Sequence, residues 1–513
     1  MSKGHLHDAE VALAQGDVAR GERLVRRALV RAPNDARANE LMALVLASRG
    51  DEEGAMVYLR TATAQAAASA AAWHQLGTLL NAKGERESAR LAFHQALLRD
   101  GGFFPAHHDL GRVLHDLGRL EDSLEALDRA VAIAPESFEA HHNRGRILNT
   151  LRRHEEAVES YDRALAIRAD HAPTLLNRGE SLAELRRYDA ALADYGRAVQ
   201  VVPSFDDARW NESLLRLLLG QFESGWPLYE CRWSGSMAWP RRHHGIPRWS
   251  GGPDVHGKRV LVWWEQGFGD TLHFCRYLPM LAARGAHVVF EAQPPLARLM
   301  HSLQGGIEVI ASGERTGACD YQIPLLSLPL AFKTTLETIP AQVPYLCADP
   351  ALVEKWRAQL GPGPKIGVAC SGHASQKDNV ARSLPLSALA PLARLADVFV
   401  VQVDVGAEDR DFAKGHDRFH LLEGRIGDFS DTAAIIENMT AVVTVDTAVA
   451  HLAGALAKPT WIMLPWTPTW RWMIDRDDSP WYPTARLVRQ KDKRDWHDVV
   501  ERVEGSLVSA LIR

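Results

Sequence analysis

At 513 residues the chain exceeds what one ordinary hydrophobic core holds, so two or three domains are expected. A formal net charge of −5 with 24% charged residues argues against nucleic acid or an anionic membrane as the main partner. The five cysteines, Cys231, Cys275, Cys319, Cys347 and Cys370, are scattered without a CxxC pair, which predicts reduced thiols and a cytoplasmic location.

The N-terminus turns amphipathic without an apolar h-region, and no later run is long enough to cross a bilayer. Neither a signal peptide nor membrane insertion is expected. From there the chain is periodic. Ala28, Ala62, Ala96, Ala130, Ala164 and Ala198 recur every 34 residues. Gly16, Gly50, Gly84 and Gly118 mark turns between paired helices, and Gly220 returns in register after an interruption at Arg186. Gly77, Gly111, Gly145 and Gly179 sit inside the first helix of their repeats, where small residues let helices approach closely. Phe93, Leu127, Tyr161 and Tyr195 fill the space between. These columns resemble the tetratricopeptide repeat, with Ala72–Leu97 as the clearest copy. Six repeats and a degenerate seventh over residues 206–239 are predicted, stacked into an all-α superhelix with a concave binding face.

Asn143, Asn177 and Asn211 stand 34 apart, preceded in register by Asp109 and Gln75. A carboxamide donates and accepts, so such a row suits the backbone of an extended peptide acceptor. The row looks like the asparagine ladder of O-linked N-acetylglucosamine transferases. His74, His108 and His142 repeat beside it; their spacing is too wide for one metal ion, so a solvated or peptide-contacting row is expected.

Residues 240–257 lose the helical period and read as a hinge rich in Trp, Pro, Gly and Arg. The Arg241-Arg242-His243-His244 cluster within it is not read as a nucleic-acid patch. A strand over Val260–Trp264 then runs into Glu265–Asp270, with a helix from Thr271. Turns at the carboxyl ends of parallel strands bind ligands. In a substrate turn of Gln266, Gly267 and Gly269 the two glycines would let the backbone come close to a substrate, and Asp270 is placed either to cap the helix or to act as a general base. Strands at His287–Glu291, Ile307–Ile310 and Tyr321–Pro324 complete a first Rossmann-like half, residues 258–361, on the acceptor side.

The second half, residues 362–513, starts with a strand over Lys365–Ser371 and continues through Val398–Val403 and Ala441–Val445 to a closing helix over Asp495–Ile512. Two sheets of similar size are expected to face a cleft. Asp446 and Thr447 lie at a strand end, and Ala448–Ala457, carrying His451, opens as a helix. A Thr hydroxyl and a helix N-terminus make a diphosphate site. The loop Gly372–Ser383 would bring Lys377, Arg382 and Ser383 to the same anion.

GFGDTLHFCRYLP and VDTAVAHLAGALAKPTWIMLP resemble the two signature regions of lipopolysaccharide heptosyltransferases, glycosyltransferases of the two-lobed GT-B fold. The resemblance runs from about Lys258 to the C-terminus. It implies that Asp270 is the base on the acceptor hydroxyl, that Asp446, Thr447, Ala448 and His451 form the phosphate-binding turn, and that Lys377 contacts donor and acceptor. Heptosyltransferases lack the repeats; bacterial proteins pairing tetratricopeptide repeats with this domain, including flagellin glycosyltransferases, are the closer comparison. The expectation is an inverting glycosyltransferase moving a sugar from a nucleotide-sugar substrate to a protein hydroxyl, with no cofactor. Asp475-Arg476-Asp477 spells the DxD of metal-dependent transferases but follows a Trp-rich stretch, so no catalytic metal is expected. Trp466, Trp470 and Trp472 are placed either to pack or to stack on a sugar. The competing readings are a non-catalytic adaptor and a transferase with a lipid-linked or polysaccharide acceptor.

Overall fold

The computed structural model describes residues 2–235, 240–372, 379–492 and 495–511. The chain divides into two compact units, Met1–Phe205 and Asp206–Arg513.

The first unit is six helix pairs, from Ser2–Ala14 with Val18–Arg31 to Ala172–Glu184 with Tyr188–Val201. The alanine column lies inside the stack, where Ala62, Ala96, Ala130, Ala164 and Ala198 are 0% exposed. The glycine column explains itself by what faces it. A Cβ on Gly77 would lie 2.6 Å from Phe93, on Gly111 2.6 Å from Leu127, on Gly145 2.5 Å from Tyr161 and on Gly179 2.5 Å from Tyr195. Each aromatic or leucine thus occupies the volume that the missing side chain leaves. Gly145→Ala is therefore expected to destabilise this unit by about 1–3 kcal/mol through overpacking, read from denaturation followed by far-UV circular dichroism.

The inter-helix turns keep one conformation even where the sequence changes. Gly16, Gly50, Gly84 and Gly118 have φ of +76° to +81°, and Arg152 and Arg186, in the same register, adopt +60° and +58°. A side chain in this left-handed region costs about 1–2 kcal/mol, and a glycine at the end of a helix relieves it. Exposed Arg152 replaced by Gly should raise the unit's stability by about 1 kcal/mol.

In the second unit the helices Asp206–Leu218 and Phe222–Tyr229, the seventh pair, pack with two wholly parallel sheets. The first sheet has order β3-β2-β1-β4, built from β1 (Arg259–Trp263), β2 (His287–Ala292), β3 (Glu308–Ala311) and β4 (Tyr321–Pro324). The second has order β10-β9-β8-β5-β6-β7, with β5 (Lys365–Ala369), β6 (Asp397–Val400), β7 (Phe419–Leu421), β8 (Ala441–Val445), β9 (Thr460–Leu464) and β10 (Ala485–Arg489). The sheets are therefore unequal, four strands against six, and not of similar size as expected. Their central strands are unbroken apolar runs because both faces are covered: Val260, Leu261, Val262, Val442, Val443 and Val445 are 0% exposed.

The joint between the seventh pair and the first sheet is polar and buried. Arg232 donates to Glu265 through Nε at 2.7 Å and Nη2 at 2.9 Å, and to Ser327 Oγ at 2.6 Å. Trp226 Nε1 donates to Thr334 O at 3.1 Å. Residues 247–249 run beside β4, with Gln322 N donating to Pro247 O and Trp249 N to Gln322 O. Among the described residues no helix is long and apolar enough to cross a membrane.

Candidate active site

β1 ends at Trp263, and the chain turns through Gln266, which takes a φ of +63°. The helix Phe268–Phe274 follows with Gly267 at its N-cap. It starts three residues before the predicted Thr271, so Asp270 is the third helical residue and not the cap itself. One oxygen, Oδ2, accepts the Gly267 backbone N–H at 3.0 Å, and the other, Oδ1, pairs with Arg471. The capping and the chemical readings of Asp270 thus use different atoms of one carboxylate. Its side chain is 16% exposed, so a substrate can reach it.

In the second half, β8 ends at Val445 and Thr447 is the N-cap of the helix Ala448–Ala455. The Thr447 hydroxyl lies 3.1 Å from that of Thr444. The two strand-end turns meet: a Cβ on Gly269 would lie 3.0 Å from His451 Cδ2 and 3.6 Å from Ala448 Cα. A side chain at Gly269 would press on His451, so the glycine eases this close approach of the two halves; a helix N-terminus leaves backbone N–H groups unpaired and suited to an anion. Buried Asp446 accepts from Thr469 Oγ1 at 2.8 Å, two residues before Arg471. The segment 469–471 therefore ties Asp446 of one half to Asp270 of the other. Burial opposes the Arg471 charge, but Asp270, ahead of Tyr229 and Asp446, holds its pKa above the ordinary value. Arg471 Nε and Gln266 Nε2 are buried donors with no partner among the described residues.

Below these turns, His273 Nδ1 and His451 Nδ1 each lie 2.9 Å from the Tyr482 hydroxyl. Burial first, then Arg471 for His451 and Arg276 for His273, pushes both imidazoles well below their usual pKa. His451 also stacks on Trp472 at 5.3 Å. Predicted at the phosphate-binding turn, it is 4% exposed, packed between Tyr482 and Trp472. Arg382 ends the short helix Asn379–Arg382, and its charge reaches His451; Ser383 beside it is half-buried. Lys377 lies outside the described residues. Trp470 packs against Trp226 at 5.3 Å and Phe274 at 6.1 Å, so it and Trp472 are packing residues. Asp475 and Asp477 are exposed on the connection to β10. Among the described residues no group of three or more His, Cys, Asp or Glu is placed to hold a metal ion.

In the repeats, Asn143 Nδ2 donates to His108 Nε2 at 2.9 Å. His108 Nδ1 donates to Asp109 Oδ1 at 3.1 Å, and Asp109 Oδ2 takes His74 Nε2 at 2.8 Å. The predicted histidine row is thus interleaved with the asparagine column, and together they wire three repeats in a line. The imidazoles outweigh burial and hold the Asp109 carboxyl far below the usual range. Asn177 is half-buried one repeat on, and Asn211 is half-buried on the helix Asp206–Leu218 of the other unit.

Sequence reasoning missed Arg471, Thr469 and Tyr482. Their only local signal is polar atoms set within an aromatic run, and Arg471 meets Asp270 across 201 residues of chain.

Residues 8–71, 74–138, 108–172 and 176–225 match the tetratricopeptide repeat model, and residues 410–492 match the glycosyltransferase family 9 (heptosyltransferase) model. The second segment includes Asp446, Thr447, Ala448, His451 and Arg471; the Asp270 turn lies before it. Protein FlbA of Caulobacter vibrioides is 28% identical over 276 residues, 48% of this chain and 46% of FlbA. The chain thus spans about half the length of that curated relative. Two solved structures are similar to the repeats. YrrB, described as a TPR protein with an unusual peptide-binding site, is 23% identical with a TM-score of 0.36, over 37% of this chain and 98% of its own. PilF of Pseudomonas aeruginosa is 17% identical with a TM-score of 0.36, over 41% of this chain and 96% of its own. The chain carries tetratricopeptide repeats followed by a heptosyltransferase-like glycosyltransferase domain of parallel-sheet α/β fold.

Proposed function

We propose that the chain transfers a sugar from a nucleotide-sugar donor to a hydroxyl of a protein acceptor held by the repeats, by a single inverting displacement without a metal or cofactor. The observation that supports this best is the meeting of Asp270 with the N-terminal turn of Ala448–Ala455 through Gly269. Asp270 Oδ1 takes the acceptor proton as the hydroxyl oxygen attacks the anomeric carbon and the bond to the diphosphate breaks. The leaving diphosphate is held by the N–H groups after Thr447, by Arg382 and Lys377, and by Arg471. In this scheme Arg471 neutralises Asp270 until a donor diphosphate draws the guanidinium to itself, which frees the base. Arg471→Gln is then expected to raise the donor KM and lower kcat, together by about 10²-fold in kcat/KM. Acceptance of an extended peptide is assigned to Asn143, Asn177 and Asn211 and their neighbours. A cytoplasmic location is part of the same proposal.

The test is a panel of nucleotide sugars screened first for a rise in melting temperature and then for transfer to candidate protein acceptors. The ion pair on Asp270 also suits a second reading, a binding platform whose carboxylate is permanently occupied. That reading predicts no transfer from any donor and partner binding unchanged by Asp270→Asn. Transfer to a glycan or lipid by a chain lacking residues 1–205 would instead exclude the protein acceptor.

A further inference from the structure

We propose a second ligand site in the unit Asp206–Arg513: a pocket for a single anionic sugar ring, built where the segment after the seventh helix pair crosses the first sheet. A cavity of about 410 Å³ opens there between Trp233, the stretch around residues 241–248, and Trp263, Gln322 and Pro324. Its lining holds three arginines, Arg241, Arg242 and Arg248, with His244 and no carboxylate. Two of the cations are fixed from behind. Arg242 donates to Glu291 at 2.7 Å and to the Trp264 carbonyl, and Arg248 pairs with Glu230. Exposed Arg241 stands 5.9 Å from the Trp233 ring and pairs with no carboxylate among the described residues. The indoles of Trp233 and Trp263 lie 5.6 Å apart at 52°, and Trp233 Nε1 is a buried donor with no partner among the described residues.

Each feature constrains the occupant. Arg241, which pairs with no carboxylate among the described residues, favours a carboxylate or phosphate, and Arg242 and Arg248, already balanced by Glu291 and Glu230, add donors beside it. Trp233 and Trp263, 8% and 2% exposed, leave a small apolar surface at the pocket that a sugar ring can cover and a bare inorganic anion would leave unused. The volume fits a small molecule and not a polymer. Trp263 and Pro324 are the last residues of β1 and β4, so the pocket rises to the carboxyl edge of the sheet, where such folds bind ligands. Arg242 also fastens it to Trp264, the first residue of the turn that leads to Asp270. The binding site does not depend on the reaction proposed above.

Calorimetric or tryptophan-fluorescence titration of the full chain with glucuronate, glucose 6-phosphate, glucose and inorganic phosphate tests it. One of the two anionic sugars should bind about tenfold or more tightly than both glucose and phosphate, and which one does separates a carboxylate from a phosphate ligand. Arg241→Glu, at an exposed position, should weaken that binding about tenfold or more, while Asp270→Asn leaves it unchanged. Equal binding of glucose or of phosphate would overturn the proposal, as would indifference to Arg241→Glu. So would loss with Asp270→Asn, which would put the sugar in the reaction cleft, or the absence of binding by all four below about 10 mM.

Discussion

Asp270→Asn should lower sugar transfer by about 10²–10⁴-fold, the usual contribution of a positioned general base, with donor binding little changed. The substitution is conservative where it matters structurally. An amide oxygen can still accept the Gly267 N–H, so the turn and the helix Phe268–Phe274 should keep their geometry. What is lost is the charge facing Arg471 and the capacity to take a proton. The melting temperature separates these effects from unfolding, because all tryptophans except Trp73 lie in residues 206–513 and their fluorescence reports that unit. A variant with wild-type turnover would remove Asp270 from the chemistry. A variant that lost donor affinity as well would show that its ion pair with Arg471 positions the diphosphate site.

How far this arrangement was legible in the sequence depends on whether a feature is local. The 34-residue columns are local and repeated, and so are the apolar runs that became β1 and β8; the residues themselves announce both. The turn at Asp270 was readable as a turn, yet the start of its helix was misplaced because Phe268 and Gly269 look like loop residues. They are helical because Gly269 must sit against His451 and Ala448, a tertiary demand without local trace. β7 is three residues long, and in β10 the run ARLVR is broken by charges, so neither reached the pattern of a buried strand. Glu265, in the same turn, has a structural part that no local pattern shows: both its oxygens accept from Arg232, and one also takes the Leu326 N–H at 3.1 Å. Folding therefore assigns the two carboxylates of one six-residue turn to different tasks.

Replacing Arg232 by Met should cost about 3–5 kcal/mol of stability in the second unit, the largest structural effect expected here. The Arg232 side chain is 0% exposed and that of Glu265 2%, so the variant would strand a carboxylate away from water. Burial already pushes the Glu265 carboxyl above its usual pKa even with Arg232 beside it. Without the guanidinium it rises further, and a raised carboxyl penalises the folded state at high pH. The deficit of Arg232→Met should thus be greatest at neutral and alkaline pH and shrink as pH falls through that raised folded-state value. A companion Glu265→Gln should recover part of it at pH 7, since a neutral amide needs no counter-ion. Glu230 behaves in the opposite sense in the unaltered chain. Despite burial, Arg232 and Arg248 hold it at about 2 against an ordinary value of 4.5. Its contribution is therefore complete above about 4.5 and lost as pH falls towards 2. The variant is relieved as pH falls through the raised Glu265 value, and below about 4.5 acid weakens the native joint as well, so their stability curves should converge at low pH. Parallel curves would mean that Glu265 does not carry a charge that Arg232 has to balance.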